Sequence, residues 1–179
     1  MMIAVVFTAC AAVLCAAAIL AVLGVAQVKL SGPDSIARDG LAVGRPAPHW
    51  IRTDQDGNAR CSPPARSLQL IVFADHSLKS FPSVLEGLRE LVAADDQVEV
   101  VLLLRRPNAI VAPLLTELGL GRVSVLTGSP RLYAQYNVRV GPFLIFVDAA
   151  GLVRASSLVN HSWQVAKLRQ LAGLPAGVA

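Results

Sequence analysis

Apolar residues recur along this chain at three different spacings, and those spacings alone divide it. From Ile3 to Val28 there is no charge and little polarity beyond Thr8 and Gln27. That run exceeds the roughly 20 residues a helix needs to cross a bilayer, so residues 1–28 are expected to form a transmembrane anchor. A cleaved signal peptide would need a basic leader and a shorter apolar stretch, and neither is present. Residues 29–42 then mix Gly, Pro, Ser, Asp and Arg without period and read as a linker. The compact domain is expected over 43–175.

Within that domain the period changes from element to element. Asp56-Gly57-Asn58 is a turn signal between two short extended pieces and predicts an opening hairpin. The unbroken apolar run LQLIVFA, 68–74, suits a central strand buried on both faces. Over 83–94, Val84, Leu85, Leu88, Leu91 and Val92 fall at helical spacing with Glu86, Arg89 and Glu90 between them. VEVVLLL at 98–104 predicts a second buried strand, 108–120 a helix containing Pro113, and 122–127 a third strand. A short helix begins at Ser129 with Pro130 in its first turn. A hairpin with its turn at Asp148 to Gly151 follows. The last helix takes Ser162 as N-cap and sets Val165, Leu168 and Leu171 on one side. The fold class is α/β.

Composition fits one domain: the chain has 179 residues, 54% of them hydrophobic, with much of the excess ahead of Lys29. Charge is lopsided, with seven Lys/Arg against ten Asp/Glu over 30–104 and eight against two over 105–179. The later basic residues are scattered among apolar runs, which favours a solvated face over a dedicated anionic surface. No basic run interleaves with aromatics, so nucleic acid is not an expected partner. His49, His76 and His161 share no ligand spacing with Cys61 or the acids, so neither a metal nor another cofactor is expected.

Three cysteines are present. Cys10 and Cys15, five positions apart on one predicted helix, point to well-separated sides and cannot pair. Lipidation is not favoured either, because both lie inside the apolar run. Cys61 is then the sole thiol of the domain, and no second cysteine is there to resolve a mixed disulfide.

Several residues carry a resemblance. They are Val43-Gly44-Arg45-Pro46-Ala47-Pro48 at the start of the domain, LIVFAD at 70–75, Tyr136 and Val138 leading into Gly141-Pro142-Phe143, and the turn DAAGLV at 148–153. In that order they resemble the membrane-tethered thioredoxin-like proteins of the redoxin group, and among them the accessory thioredoxins of methylamine dehydrogenase. The resemblance implies a thioredoxin-like fold behind one N-terminal transmembrane helix, with the domain on the periplasmic or extracytoplasmic side. Lys29, Arg38 and Arg45, all after the span, lean the other way by the positive-inside tendency. In such proteins the strand is followed by Cys-x-x-Cys at the start of the next helix, where the thiolate is stabilised. Here the stretch reads Ala74-Asp75-His76-Ser77-Leu78-Lys79-Ser80. The resemblance lays Ser77 and Ser80 on the two cysteine positions and Pro142 on the family's cis-proline.

Hydroxyls cannot form a disulfide, and serine is far harder to ionise than a thiol with a pKa near 8.5. No catalytic residue is therefore expected at Ser77 or Ser80. A serine hydrolase is not supported, since no G-x-S-x-G elbow is present. His76, Leu78, Lys79, Gly141 and Pro142 remain as a candidate surface for a protein partner, because the proline loop of the family leaves backbone groups open to an extended peptide. The alternative structural role for Ser77 and Ser80 is to cap the following helix. The expected function is a redox-inactive, membrane-anchored binding module for assembly of an extracytoplasmic enzyme or membrane complex. Two other readings stand beside it: a one-cysteine oxidoreductase or peroxidase using Cys61, and a structural subunit of a membrane complex. Asn160-His161-Ser162 also fits a glycosylation sequon, though helix capping suits it better.

Overall fold

The structure, a computed structural model, describes residues 39–64, 68–106 and 109–173. The expected anchor, Cys10, Cys15 and most of the linker lie outside the described residues. Among the described residues no helix is long and apolar enough to cross a membrane. Strands β1 (Trp50–Thr53) and β2 (Ala59–Ser62) form the opening hairpin as a separate two-stranded sheet. Then come β3 (Leu68–Ala74), α1 (Phe81–Ala94), β4 (Val98–Leu104), α2 (Val111–Glu117), β5 (Ser124–Thr127), α3 (Pro130–Gln135), β6 (Phe143–Val147), β7 (Val153–Leu158) and α4 (Ser162–Leu171).

The main sheet has the order β5-β4-β3-β6-β7, so the unbroken apolar strand is its centre. β3 runs parallel to β4, and β4 to β5, whereas β6 runs antiparallel to both β3 and β7. Successive side chains of a strand point to opposite faces. Leu70, Val72 and Ala74 accordingly join a core with Val84 and Leu88 of α1, Leu115 of α2, and Val165 and Leu168 of α4. Ile71 and Phe73 join a second core with Trp50 of β1, Leu132 and Tyr133 of α3, and Tyr136 just past its end. Each large side chain of this kind stabilises by about 1.5–3 kcal/mol on leaving water, and β3 contributes such side chains to both cores.

α1 and α4 approach closely at Gly87: a Cβ there would stand 2.6 Å from Val165 Cγ2 and 2.7 Å from the Ser162 carbonyl. The segment before β1 is held along the far hairpin. Gly44 N–H donates to the Val153 carbonyl (2.7 Å), Val153 N–H to the Arg45 carbonyl (2.9 Å), and Ala47 N–H to the Gly151 carbonyl (2.8 Å). Contacts of this unit reach back to residues assigned to the linker, since Gly40 N–H donates to the Asn137 carbonyl and Arg139 pairs with Asp39 at 2.8 Å.

Three expectations need correction. The second helix is α2, only Val111–Glu117, rather than 108–120. Starting at Val111 keeps Pro113 in the first turn, where no backbone donor is required. Its end is a glycine cap: Gly119 has φ +73°, and Leu120 N–H donates to the Leu115 carbonyl at 2.7 Å. In α4 the N-cap position is His161, not Ser162, and the side-chain oxygen of Gln164 reaches back to the N–H groups of Asn160 (2.7 Å) and His161 (3.0 Å). Leu171 is 67% exposed, because the buried face runs through Val165, Leu168 and Ala172.

In the β1–β2 turn, the buried Asp54 carboxylate accepts from Arg60 Nε (2.9 Å), Asn58 N–H (2.8 Å) and Asp56 N–H (3.0 Å). Burial opposes its charge, but the Arg60 bond and the two backbone donors outweigh that and hold the carboxyl below its usual 3.8. A depressed carboxyl contributes stability that is present above the unfolded pKa and lost as pH falls through the folded one. Thermal melts should therefore hold steady from neutral pH down to about 4 and fall below it, with a shallower fall in Asp54→Asn. Gly87→Ala should cost about 1–3 kcal/mol in urea unfolding, the range of an overpacked interface. Gly121→Ala, which meets open space, should leave stability unchanged.

Candidate functional site

The candidate site lies where the parallel strands end. Register places Ala74 of β3 beside Leu104 of β4, and Leu104 beside Thr127 of β5. The loops that follow, starting at Asp75, Arg105 and Gly128, therefore emerge together. β6 runs the opposite way with Phe143 opposite Phe73, which brings the Val140 to Pro142 loop to the same end.

Asp75 organises the first loop. Its Oδ1 accepts from Ser77 N–H (3.0 Å) and from the Ser77 hydroxyl (2.7 Å), a side-chain turn of the Asx kind. Leu78 N–H donates to the Asp75 carbonyl (3.1 Å) and Phe81 N–H to the Leu78 carbonyl (3.0 Å), carrying the chain into α1. Those two bonds from Ser77 hold the Asp75 carboxyl below its usual range, with His76 and Arg106 adding attraction against a smaller opposing effect of burial. The His76 ring nitrogen Nδ1 stands 3.8 Å from Asp75 Oδ1.

Neither serine side chain caps α1, so the alternative structural role for the pair is not realised. The Ser77 hydroxyl is engaged by Asp75. Ser80 occupies the N-cap position in a helical conformation and makes no side-chain cap bond. A capping oxygen needs an extended backbone and a donor at the second or third helical residue, and here the second is Pro82, which has no N–H.

The Gly141-Pro142 peptide is cis. A Cβ at Gly141 would sit 3.2 Å from the Phe73 carbonyl and 3.7 Å from Leu78 Cδ1, so this loop packs against the end of β3 and the turn that follows. The structure thus brings Leu78, Gly141 and Pro142 together, with Pro142 buried and His76, Ser77 and Lys79 exposed on the same turn.

Cys61 belongs to the other end of the sheet. Its carbonyl accepts from Gln69 Nε2 (2.8 Å), near the start of β3, and its half-buried thiol faces the Pro63 carbonyl at 3.6 Å. Five residues of strand from Gln69 to Ala74 span about 17 Å. Among the described residues no group of three His, Cys, Asp or Glu could hold a metal ion.

Sequence reasoning passed over the residues that shape this end. The Tyr133 hydroxyl donates to the Leu103 carbonyl (2.9 Å) and lies 3.3 Å from that of Ala74, while the Arg105 guanidinium covers its ring at 4.8 Å. Burial pushes the Tyr133 phenol up to about 12, so it remains a donor, with Arg105 pulling the other way. The signals were present in the chain: Asp75 two residues ahead of Ser77, and Asp75 and Arg105 each directly after a buried strand. In Ser77→Ala the Asp75 carboxyl, followed by NMR titration, should move up toward the ordinary value near 4, because the hydroxyl donor is lost and only the backbone donor remains.

Neither a protein-family model nor a curated protein sequence matches the chain. Solved structures do. The chain is similar to a peroxiredoxin-like protein from Aquifex aeolicus, with TM-score 0.60 and 17% identity over 75% of this chain and 90% of that one. A thio-disulfide isomerase from Thermus thermophilus gives TM-score 0.57 and 22% identity, over 75% and 99% of the two chains. A thiol:disulfide interchange protein of the thioredoxin family from Chlorobium tepidum TLS gives 0.58 and 16%, over 74% and 97%. The domain therefore has the thioredoxin-like fold of thiol-disulfide oxidoreductases and peroxiredoxin-like proteins.

Proposed function

We propose that this chain is a membrane-anchored thioredoxin-fold module that performs no two-thiol chemistry and binds a partner protein through the Pro142 loop, in the assembly of an extracytoplasmic enzyme or membrane complex. One observation carries the reading: the turn between β3 and α1, packed against the cis-Pro142 loop, offers Ser77 and Ser80, while the only thiol among the described residues lies at the opposite end of β3. Disulfide exchange needs an ionisable sulfur and a second one to resolve the mixed disulfide. Binding needs only the loop surface, where Val140 is exposed and Gly141 partly so. The uncharged run over 1–28 supports anchoring, and the resemblance to tethered redoxins supports the outer face.

The fold likeness to a peroxiredoxin-like protein favours a second reading, a one-cysteine peroxidase or oxidoreductase using Cys61 with an external thiol. The half-buried position of Cys61 on β2 weakens it, because a reactive thiolate needs access and a nearby cation.

The full chain in detergent should show no reduction of insulin by dithiothreitol above background and no thiol-dependent peroxide consumption. Turnover that disappears in Cys61→Ser would establish the second reading instead. A photocrosslinker placed at Leu78 in cells should capture one discrete protein, and capture that is unaffected by moving the probe to Arg122, at the opposite end of the sheet, would remove the Pro142 loop as the binding surface.

A further inference from the structure

The end of the sheet that carries the Pro142 loop is crowded with cations. Lys79 follows β3, Arg105 and Arg106 follow β4, Arg131 lies in α3 directly after β5, and Arg139 precedes the loop; all five are exposed. The acids at this end are Asp75, already engaged by two Ser77 donors, and Asp39, paired with Arg139. Scattered in sequence, these cations share one end of the sheet because β3, β4 and β5 run parallel toward it and the antiparallel β6 starts from it. Arg105 Nη2 donates to the Arg139 carbonyl at 3.3 Å, which ties the two loops together.

Two features beside the charges suit an extended chain. No hydrogen bond joins the main chain of Val140 or Gly141 to another of the described residues, so their N–H and C=O groups are open to a strand laid alongside. Next to them a groove with an apolar floor of Pro130, Tyr133, Ala134 and Val138 is rimmed by Arg105 and Arg139. Resting on the binding role proposed above, we infer that the partner segment is an acidic, extended peptide: its backbone pairs at Val140 and Gly141, an apolar side chain enters the groove, and its carboxylates meet Arg105, Arg106 and Lys79.

The test uses the full chain in detergent and two short fluorescent peptides, one alternating Val with Asp and its Val/Asn isostere. Several exposed ion pairs together should favour the Asp peptide by about tenfold at low salt. That preference should shrink above 0.1 M salt, where screening acts within about 10 Å. Arg105→Gln with Arg106→Gln, and separately Lys79→Gln with Arg131→Gln, should reduce the preference several-fold while Arg122→Gln leaves it intact. A photocrosslinker at Leu78 reports whether either peptide occupies the Pro142 loop. Equal binding of both peptides with crosslinking at Leu78 overturns the acidic preference and leaves the binding role standing. No crosslinking by either peptide overturns the inference, and the in-cell capture experiment then decides the role itself. Arginine variants that weaken binding to phosphatidylglycerol vesicles and leave the peptide preference unchanged would reassign this face to anionic lipid and also overturn it.

Discussion

Burial of β3 on both of its faces is the constraint from which the rest of this domain follows. A strand whose alternate residues all seek cover cannot sit at an edge, so β4 must pair on one side and β6 on the other. It also needs a layer above and below: α1, α2 and α4 supply one with Val84, Leu115 and Val165, and α3 with β1 the other with Tyr133 and Trp50. Once β3 is central, its last residue is fixed in space, and the turn leaving it has little freedom. Phe73, fully buried against Tyr133 and Tyr136 with ring centroids near 5 Å, locks the strand end from below.

The site inherits its shape from that strand end rather than from its own polar groups. The Ala74 carbonyl meets Arg105 N–H at 3.2 Å and the Tyr133 hydroxyl, while the Phe73 carbonyl limits how near the Gly141 loop can come. Any residue at 141 larger than glycine would have to push a backbone carbonyl aside. Asp75 then directs the exit, and its two bonds from Ser77 leave that hydroxyl committed to holding a turn. A hydroxyl so engaged donates its proton to a carboxylate whose own pKa is depressed, which makes the carboxylate a poor base for activating it.

Most of the fold was legible in the chain because its strongest signals are periodic. The runs at 68–74 and 98–104, the Asp56-Gly57-Asn58 turn, the Ser129 cap that accepts from Leu132 N–H, and the Asp148 to Gly151 turn all stand where the pattern put them. What failed was local and competitive. Pro113 is tolerated only near a helix start, and that restriction shortened α2. At the start of α4, Gln164 offered a reciprocal cap that a single-residue rule applied to Ser162 does not weigh. Leu171 falls at helical spacing yet stays exposed, because 165, 168 and 172 form the tighter stripe. The candidate site was half legible: Leu78 and Gly141-Pro142 were named and do meet, whereas Tyr133, Arg105 and Val140 emerge only when strand register sets distant loops side by side.

A sulfur pair could be missing from such a site without consequence for the fold. Nothing that shapes the strand end uses sulfur: the turn is held by a carboxylate, the proline loop by close packing on a backbone carbonyl, and the interior by two layers of apolar side chains. In a domain where cysteines served as staples, their loss would cost about 2–5 kcal/mol and threaten folding. Here the exposed side chain at 77 and the half-buried one at 80 lie outside both cores, and of the two bonds that hold the Asp75 turn only the hydroxyl's depends on which side chain stands at 77. A thioredoxin-like scaffold can in this way hold its strand end and its proline loop without a sulfur pair at the turn between them. The backbone of the Pro142 loop and the cations beside it are fixed by the sheet, whereas the side chains at 77 and 80 rest on top of it.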